Sequence, residues 1–471
     1  MRLDRRGLIS GGAAVMAFSG LSRSAVAQTA PSVEQGPLNQ VPGYGALKPD
    51  ANRILDLPEG FSYRIIAQGG ETMDDGLFLP GQFDGMACFP AGGTRVALVR
   101  NHELRHGSRS HRNWGPGGLN QERLDLIPRE RAYGTYKNGK VLPGGTSTQI
   151  YDLATGRTVS QRLSLAGTST NCAGGLTPWG SWLTCEETEA TPDTADVAQT
   201  HGWVFEVPAL DRGLADPVPL KAMGRFDHEA VAVDPRTGVV YLTEDKIDGL
   251  FYRFIPEVRG EMARGGRLQA MVIRDKRGAD TSNKTDRLWN TGDGLAVDWI
   301  DLAEVESPNG DLRQRGHADG AALVSRGEGI HWGDGELYLT ATSGGPIGRG
   351  QVLRYVPSPD EGRAGESRRP GRLQLFVEST DARVLNMGDN LTVAPWGHLF
   401  VCEDNYSEQN PNFLRGVTPD GRTYAVAKSA YITNSEFAGV CFSPDGSVLF
   451  VNVQTPGITF AITGPWATVQ M

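Results

Sequence analysis

One motif is repeated six times along the chain, and this repetition limits the possible folds more than any other feature. Its clearest copy runs from Phe226 to Asp245, FDHEAVAVDPRTGVVYLTED. A polar or acidic residue opens an apolar run, a turn with Pro, Gly or Asp follows, and a second apolar run ends on another polar residue. The other copies end at Glu103, Glu187, Gly345, Asp404 and Gly457. Six such β-hairpins predict the inner strand pairs of a six-bladed β-propeller.

Each first strand carries one polar residue at an equivalent place. Five of these residues lie six positions before the turn residue of their hairpin, and the sixth lies eight positions before it. In chain order they are Asp84, Cys172, Glu229, Glu328, Asp389 and, at the longer spacing, Glu436. Because an even spacing keeps side chains on one face of a strand, all six are expected to point into the channel. We call them the ring residues.

A second set of polar residues ends the second strands. An antiparallel partner returns to the level at which the first strand began, so these residues are expected beside the ring. The segments are Asn101 to Glu103, Cys185 to Glu187, Glu244 with Asp245, Ser343 to Gly345, Glu403 with Asp404, and Gln454. The predicted ligands among them are Glu187, Glu244, Asp245, Glu403 and Asp404, and Asn390 beside Asp389 is also included.

The chemistry of the two sets predicts bound cations. Several carboxylates in one channel repel each other strongly unless cations neutralise them. A thiolate at Cys172 among carboxylates suits a transition metal, whereas the oxygen-only second set favours calcium. The alternatives are a small buried hydrophobe for Cys172 and solubilising loop ends for the second set.

Arg326 lies two residues before Glu328 and is predicted on a channel strand. A fixed guanidinium there matches a clamp for an anionic group. The alternative is a structural ion pair with a ring carboxylate.

Composition agrees with an all-β chain. The 471 residues include 61 Gly and 28 Pro, and no stretch has sustained helical periodicity. We expect one propeller domain over 59–471, whose last blade is completed when residues 61–70 join residues 457–464. Two long inserts, Arg105 to Gly145 and Arg274 to Gly320, are predicted at the channel mouth, either as lids or as surface excursions. The five cysteines are odd in number and indicate no disulfide framework.

The first 27 residues have the pattern of a twin-arginine signal peptide. Arg5 and Arg6 precede a Gly/Ala-rich apolar run, and Ala25 and Ala27 form a small-residue cleavage site. We therefore expect export by the twin-arginine machinery to the periplasm or beyond, with residues 28–58 as an N-terminal leader. The run is too short and broken to span a membrane. The formal net charge of −9 argues against nucleic-acid binding and is compatible with bound cations.

Five motifs in order resemble the PhoX-type alkaline phosphatase family, from Leu55 to Trp466. They are NCAGGLTPWGSWLTCEE, RFDHEAVAVDPRTGVVYLTED, RGEGIHW, DNLTVAPWGHLFVCED and EFAGVCFSPDGSVLFVNVQTPGITFAITGPW. The resemblance implies an exported six-bladed propeller with a calcium-dependent phosphomonoesterase site that contains ferric iron. By motif, Cys172, Glu229 and Glu328 resemble its iron ligands and Arg326 its phosphate-contacting arginine, while the second-strand acids would correspond to calcium ligands.

Hydrolysis of phosphate esters at a metal cluster is therefore the leading functional hypothesis. The sequence has neither a GxSxG elbow nor an HExxH motif. One alternative is a calcium-dependent propeller lactonase or phosphotriesterase without iron. Another is a non-catalytic propeller that binds a partner at its mouth. Metal analysis separates the three, since iron with calcium favours the phosphatase and calcium alone favours the lactonase.

Overall fold

The repeated motif folds as antiparallel strand pairs in an all-β, propeller-like arrangement. A computed structural model describes residues 36–106, 123, 126–407, 410–431 and 435–471. Within these residues the chain forms 27 strands, one short helix, α1 (Leu312–Ala318), and five 3-10 turns. The turns are Arg129–Arg131, Lys221–Met223, Met262–Arg264, Glu366–Arg368 and Trp466–Thr468.

In chain order the strands are β1 (Leu47–Lys48), β2 (Leu55–Pro58), β3 (Ser62–Gln68), β4 (Phe83–Pro90), β5 (Arg95–His102), β6 (Gly144–Asp152), β7 (Arg157–Thr168), β8 (Asn171–Leu176), β9 (Ser181–Glu186), β10 (Val204–Pro208), β11 (His228–Val233), β12 (Val240–Glu244), β13 (Gly249–Pro256), β14 (Gly266–Ile273), β15 (Gly294–Asp301), β16 (Leu323–Val324), β17 (Gly327–Trp332), β18 (Leu337–Ala341), β19 (Gln351–Val356), β20 (Gly371–Glu378), β21 (Gly388–Val393), β22 (Leu399–Glu403), β23 (Phe413–Val417), β24 (Thr423–Ser429), β25 (Phe437–Phe442), β26 (Val448–Val453) and β27 (Ile458–Thr463).

All six predicted hairpins are present. They are β4–β5, β8–β9, β11–β12, β17–β18, β21–β22 and β25–β26. Their first strands contact one another in a closed circuit that runs β4, β8, β11, β17, β21, β25 and back to β4. The first strands therefore surround one channel, as the sequence predicted.

In β11 both strand faces are buried, and apolar residues follow Glu229 without interruption to Val233. In β11, Ala230 and Ala232 pack in one hydrophobic cluster, whereas Val231 and Val233 pack in another. Alternate side chains thus meet different neighbours across the strand. Full burial of such a side chain stabilises the fold by about 1.5–3 kcal/mol.

Five sheets are formed by the described residues. Two have four strands, β4 to β7 and β25-β26-β27-β3, and one has three, β8 to β10. A fourth contains β21 to β24, extended by β2 and β1. In the fifth, β15 hydrogen bonds with both β14 and β20 and so joins β11–β14 to β17–β20. With β16, which pairs with β13, this sheet has ten strands. The expected separation into six sheets is therefore not found, because β15 covers the outer edges of two neighbouring groups.

The two ends of the described chain meet as expected. Strand β3 pairs with β27, with Ser62 opposite Thr463 and Gln68 opposite Ile458. The described part of the leader adds β2 to the edge of β24 and then β1 to β2. The signal peptide lies outside the described residues. Residues Gly36–Met471 form one compact unit.

The inserts differ in their placement. The insert from Arg274 to Gly320 contributes β15 and α1, and β15 lies at the outer sheet edges, so the predicted position at the channel mouth is wrong for this part. Near the mouth, Lys284 from this insert donates to the Ser325 hydroxyl (2.9 Å). Much of the insert from Arg105 to Gly145, residues 107–122 and 124–125, lies outside the described residues. Among the helices that are described, none is long and apolar enough to cross a membrane.

Candidate metal centre

Every first strand carries a β-bulge near its mouth-side end. In β4, Asp84 and Gly85 lie between the paired residues Phe83 and Met86 and have no ladder partners of their own. The same two-residue interruption occurs in each of the other five first strands. It falls at Cys172 and Ala173, Glu229 and Ala230, Glu328 and Gly329, Asp389 and Asn390, and Gly439 and Val440. Since a bulge bends a strand and re-aims its side chains, five ring residues are directed by the same device.

The sixth first strand differs because glycine occupies the first position of its bulge, where the other five strands carry their ring residue. Gly439 has φ +60°, and a Cβ at this position would lie 2.4 Å from the Asp84 carbonyl oxygen. Both the left-handed backbone and the close approach favour glycine here. The ring acid of this hairpin, Glu436, lies one residue before β25 instead.

The ring residues converge with three acids from the second-strand ends. The nine side chains form four groups of three, and the ligand atoms of each group lie within 4.8 Å of one another. The groups are Cys172–Glu187–Glu229, Glu229–Glu328–Asp389, Asp389–Asp404–Glu436 and Asp84–Glu103–Glu436. Neighbouring groups share Glu229, Asp389 or Glu436, and the Cys172 thiol lies 3.8 Å from Asp84 Oδ2. The nine residues therefore form one continuous cluster, which we call the acidic cluster.

Charge in the acidic cluster is not compensated by its own hydrogen bonds. Glu229 is fully buried, and neither of its carboxylate oxygens has a hydrogen-bond partner. Burial, followed by repulsion from neighbouring carboxylates, raises the pKa of several of these acids well above the usual range. They are Asp84, Glu187, Glu229, Glu328 and Glu436. Burial and the charge of Asp404 raise the pKa of Asp389 to about 8.

The donor atoms fit the cations that the motif resemblance implies. Orphaned, buried carboxylate oxygens are stabilised when a cation lies between them. The group with Cys172 offers sulfur and oxygen and suits a transition metal. The remaining three groups offer oxygen alone, which calcium prefers.

Cys172 is distinct from the other four cysteines. It is 9% exposed, and burial and the nearby charges of Asp84 and Glu229 raise the pKa of its thiol well above the usual range. The others pack in hydrophobic clusters away from the ligand groups. They are Cys88, Cys185, Cys402 and Cys441. None of the five forms a disulfide.

Arg326 lies at the edge of the acidic cluster and is held by two carboxylates. Its Nε and Nη2 atoms donate to the two carboxylate oxygens of Asp245 (2.7 and 3.0 Å), and Nη2 also donates to Glu328 Oε1 (2.7 Å). Nη1 faces the hydroxyl of Tyr406 at 3.4 Å. The structural ion pair considered from the sequence is thus present, and Nη1 is the guanidinium nitrogen that contacts neither carboxylate.

The sequence predicted Arg326 on a channel strand, and this is wrong, because the residue lies directly before β17. Its backbone φ of +54° is in the left-handed region, which residues other than glycine rarely adopt. This turn directs the guanidinium back over Glu328.

Two predicted ligands, Glu244 and Glu403, point away from the acidic cluster. Glu244 Oε2 accepts from the Leu250 backbone N–H (3.1 Å) and the Tyr252 hydroxyl (2.7 Å). Glu403 accepts from the Phe413 N–H (3.0 Å) and pairs with Arg415 (2.7 Å). Because successive side chains of a strand point to opposite faces, each of these acids binds its own third strand.

Two further predicted ligands have other partners. Asp245 is engaged by both donors of Arg326, and it is not in the four ligand groups. Asn390 Oδ1 accepts from the Gly439 N–H (2.7 Å), and its Nδ2 donates to Asp389 Oδ1 (2.9 Å). Asn390 therefore orients Asp389 and does not offer a free oxygen.

Sequence reasoning did not name three residues of the site as functional. Glu103 belongs to a ligand group and accepts from Gln454 Nε2 (2.6 Å) and Arg105 (2.7 Å). The sequence placed it beside the ring, at the end of its second strand like Glu187 and Asp404, but it was not included among the predicted ligands. Arg105 and Tyr406 lie in loops beyond the motif, where the repeat gives no information.

Beyond the acidic cluster the channel is apolar. A cavity of about 200 Å³ continues from the ring toward the hairpin turns. Its lining includes Met86, Leu176, Val231, Ile330, Leu391 and Trp332. The nine residues of the acidic cluster thus occupy one end of the channel.

Comparison with known proteins gives the chain a family. Residues 42–457 match the family described as alkaline phosphatase PhoX. The chain belongs to the PhoX alkaline phosphatase family. This confirms the resemblance drawn from the five motifs, and the match includes all nine residues of the acidic cluster. No sequence among the curated proteins matches the chain.

Solved structures with a related fold include another PhoX protein. "Pseudomonas fluorescens PhoX in complex with vanadate, a transition state analogue" is 19% identical, with 91% of this chain and 98% of that chain covered and a TM-score of 0.67. A gluconolactonase of Xanthomonas campestris is 12% identical, with 91% and 100% covered and a TM-score of 0.39. A putative 6-phosphogluconolactonase of Bacteroides uniformis is 12% identical, with 84% and 90% covered and a TM-score of 0.38. At this identity the first likeness shows that the fold is shared.

Proposed function

We propose that this chain is a secreted phosphatase that hydrolyses phosphate monoesters at a cluster of ferric iron and calcium. The observation that carries the proposal is the continuous acidic cluster, with Arg326 at its edge. Membership of the PhoX alkaline phosphatase family supports the reaction class. The related PhoX protein binds vanadate as a transition-state analogue, and this supports a phosphoryl site in the same fold.

The residues have separate roles in this proposal. Cys172, Glu229 and Glu328 would hold iron, and the oxygen-only groups would hold calcium. When bound, these cations would neutralise phosphoryl oxygens and the charge that develops during hydrolysis. Arg326 Nη1 would donate to an oxygen of the phosphoryl group, because Nε and Nη2 are engaged by Asp245 and Glu328. The apolar channel beneath the site keeps bulk water from the buried face of the acids.

We further propose that the six hairpins are six blades. The closed circuit of first strands supports this count. In this interpretation β15 ties the third and fourth blades together at their outer edges. The propeller domain would span 59–471.

We also propose that the protein is exported through the twin-arginine route after it has folded. The Arg5–Arg6 pair and the small-residue site at Ala27 support this route. Replacement of both arginines by lysine should leave uncleaved protein inside the cell, as seen by fractionation.

Metal analysis tests the function against its alternatives. Purified protein should contain iron and calcium, hydrolyse p-nitrophenyl phosphate, and lose both this activity and thermal stability in EGTA, since metal bound by the folded state stabilises it. A calcium-only protein that hydrolyses a lactone would favour the lactonase hypothesis. A metal-free protein with neither activity would favour the binding module.

Arg326→Lys should lower kcat about 10- to 100-fold and leave the metal content unchanged. Lysine keeps one positive charge but lacks the planar fork that contacts Asp245, Glu328 and substrate together. Steady-state kinetics and elemental analysis measure the two effects. Arg236→Lys is the matched control, because Arg236 forms a similar two-point pair with Asp234 away from the acidic cluster. Loss of metal in Arg326→Lys would instead favour a purely structural ion pair.

A further inference from the structure

A second ring of side chains supports the acidic cluster from the neighbouring hairpins. In five hairpins the member lies on the second strand, one residue before the partner of the residue that precedes the bulge. In the sixth hairpin it is Asn452, which is itself the partner of Ala438, the residue before the bulge. The six positions are Asn101, Cys185, Thr243, Thr340, Cys402 and Asn452. We call them the collar. All six are buried.

Four collar side chains donate to the backbone of a ring residue in the next hairpin. Asn101 Nδ2 donates to the carbonyl oxygens of Cys172 (3.1 Å) and Ala173 (2.7 Å). The other three form the same bond. Thr243 Oγ1 donates to the backbone carbonyl oxygen of Glu328 (2.5 Å). Thr340 Oγ1 donates to the carbonyl oxygen of Asp389 (2.8 Å), and Asn452 Nδ2 donates to the carbonyl oxygen of Asp84 (2.6 Å).

The bulges explain why these carbonyls need a partner. A bulge takes its residues out of the ladder, and a buried carbonyl without a hydrogen bond is costly. The collar supplies the missing donor from the neighbouring hairpin. The bond therefore fixes the backbone of the same residue whose side chain enters the acidic cluster.

The orientation of Asn101 follows from its surroundings. Its Oδ1 accepts from the indole N–H of Trp182 (2.8 Å) and the hydroxyl of Thr184 (2.9 Å). An indole nitrogen can only donate, so the amide nitrogen of Asn101 must face the two carbonyls. Asn452 is held in the same way, since its Oδ1 accepts from the Thr459 hydroxyl (2.7 Å).

We propose that the four collar residues with these bonds, Asn101, Thr243, Thr340 and Asn452, are positioning residues that set the metal affinity of the acidic cluster. This rests on the proposed function, because it assumes that the acidic cluster binds cations. A carboxylate must be placed within a few tenths of an ångström to match a cation's preferred distance, and a free bulge can relax away from it. Thr340 acts through the backbone of Asp389, which two ligand groups share.

Thr340→Val and Thr340→Ser form a matched pair that tests this role. Valine keeps the shape of threonine but removes the hydroxyl, whereas serine keeps the hydroxyl. We expect Thr340→Val to bind calcium about 10-fold more weakly than wild type and Thr340→Ser to bind nearly as tightly. Calorimetric titration of EGTA-treated protein with calcium gives the affinity. Without metal, Thr340→Val should melt at a lower temperature than Thr340→Ser, because it leaves the buried Asp389 carbonyl without this donor. The calcium affinity of the folded protein is therefore the measurement that reports positioning.

The outcomes are distinct. Equal calcium affinity in Thr340→Val and wild type would overturn the positioning role and leave the proposed function intact. A wild type that binds no calcium would overturn both. If Thr340→Val does not fold, the same pair at Thr243 decides, since its hydroxyl supports Glu328 in the next hairpin.

Discussion

Glu229→Gln is expected to remove hydrolysis of phosphate esters almost completely, by at least about 100-fold, together with bound metal. Glu229 is shared by two ligand groups, is fully buried and has no hydrogen-bond partner for either oxygen. Glutamine has nearly the same shape but offers one neutral oxygen, and its NH2 group cannot bind a cation. Elemental analysis and p-nitrophenyl phosphate hydrolysis measure both losses.

Glu244→Gln is the matched control for this prediction. Glu244 is equally buried, but its hydrogen bonds go to Leu250 and Tyr252, and it is not in the four ligand groups. This variant should keep its metal and most of its activity. Loss of metal in Glu244→Gln, or an active and metal-loaded Glu229→Gln, would contradict the placement of the site.

The metal-free protein provides a second test of Glu229. Burial, followed by the charge of Glu328, raises the pKa of Glu229 well above the usual range. A carboxyl whose pKa is higher in the folded state contributes stability below its unfolded pKa, and this contribution is lost as pH rises through the folded pKa. Wild type freed of both iron and calcium should therefore melt at progressively lower temperature as the pH rises above about 5. Glu229→Gln should lose less, as measured by differential scanning fluorimetry.

The ring residues could be predicted by counting back from the hairpin turns. The counts agree because these first strands carry their β-bulge at the same distance from the turn. Asp84, Cys172 and Glu229 lie six residues before their turn residues, and each sits in a bulge at the same place. The sequence gives no sign of the bulges, but a shared bulge does not disturb the comparison. Strand alternation does not explain how Glu436 reaches the acidic cluster. The bulge at Gly439 lies between Glu436 and the turn and interrupts the alternation of side chains.

The second-strand acids were only half predictable. Pairs such as Glu244 with Asp245 and Glu403 with Asp404 show that acids end these strands, but consecutive side chains must point to opposite faces. Which member enters the channel depends on the register with the first strand, and this register was not known from the sequence. The structure assigns Asp404 to a ligand group, whereas Glu403 binds Phe413 and Arg415.

Strand β15 could not be predicted from the repeat. It comes from an insert and pairs with strands that are far apart in sequence, Gly266–Ile273 on one side and Gly371–Glu378 on the other. Its own residues, GLAVDWID, have a strand-like pattern but carry no information about which free edges they cover. Such long-range pairing is a property of the assembled sheets.

Cys172→Ser is expected to abolish iron binding and activity while leaving the fold intact. Cys172 provides the sulfur in the ligand groups, and its thiol lies within 4.8 Å of ligand oxygens of Glu187 and Glu229. A thiolate bound to ferric iron donates electron density to the metal and gives a charge-transfer band in the visible. The purified protein should therefore be coloured, and Cys172→Ser should lose this colour. Absorption spectra and iron content measure the change.

Cys185→Ser and Cys402→Ser are the controls, because both thiols pack in hydrophobic clusters and belong to none of the four ligand groups. Each should keep the colour and the iron and at most melt at a lower temperature, since serine buries a hydroxyl where a thiol packed. If Cys185→Ser lost the colour and Cys172→Ser kept it, the sulfur ligand would be on β9 and not on β8. A colourless, iron-free wild type with full activity would leave calcium as the metal of the site, because the three oxygen-only groups do not depend on Cys172.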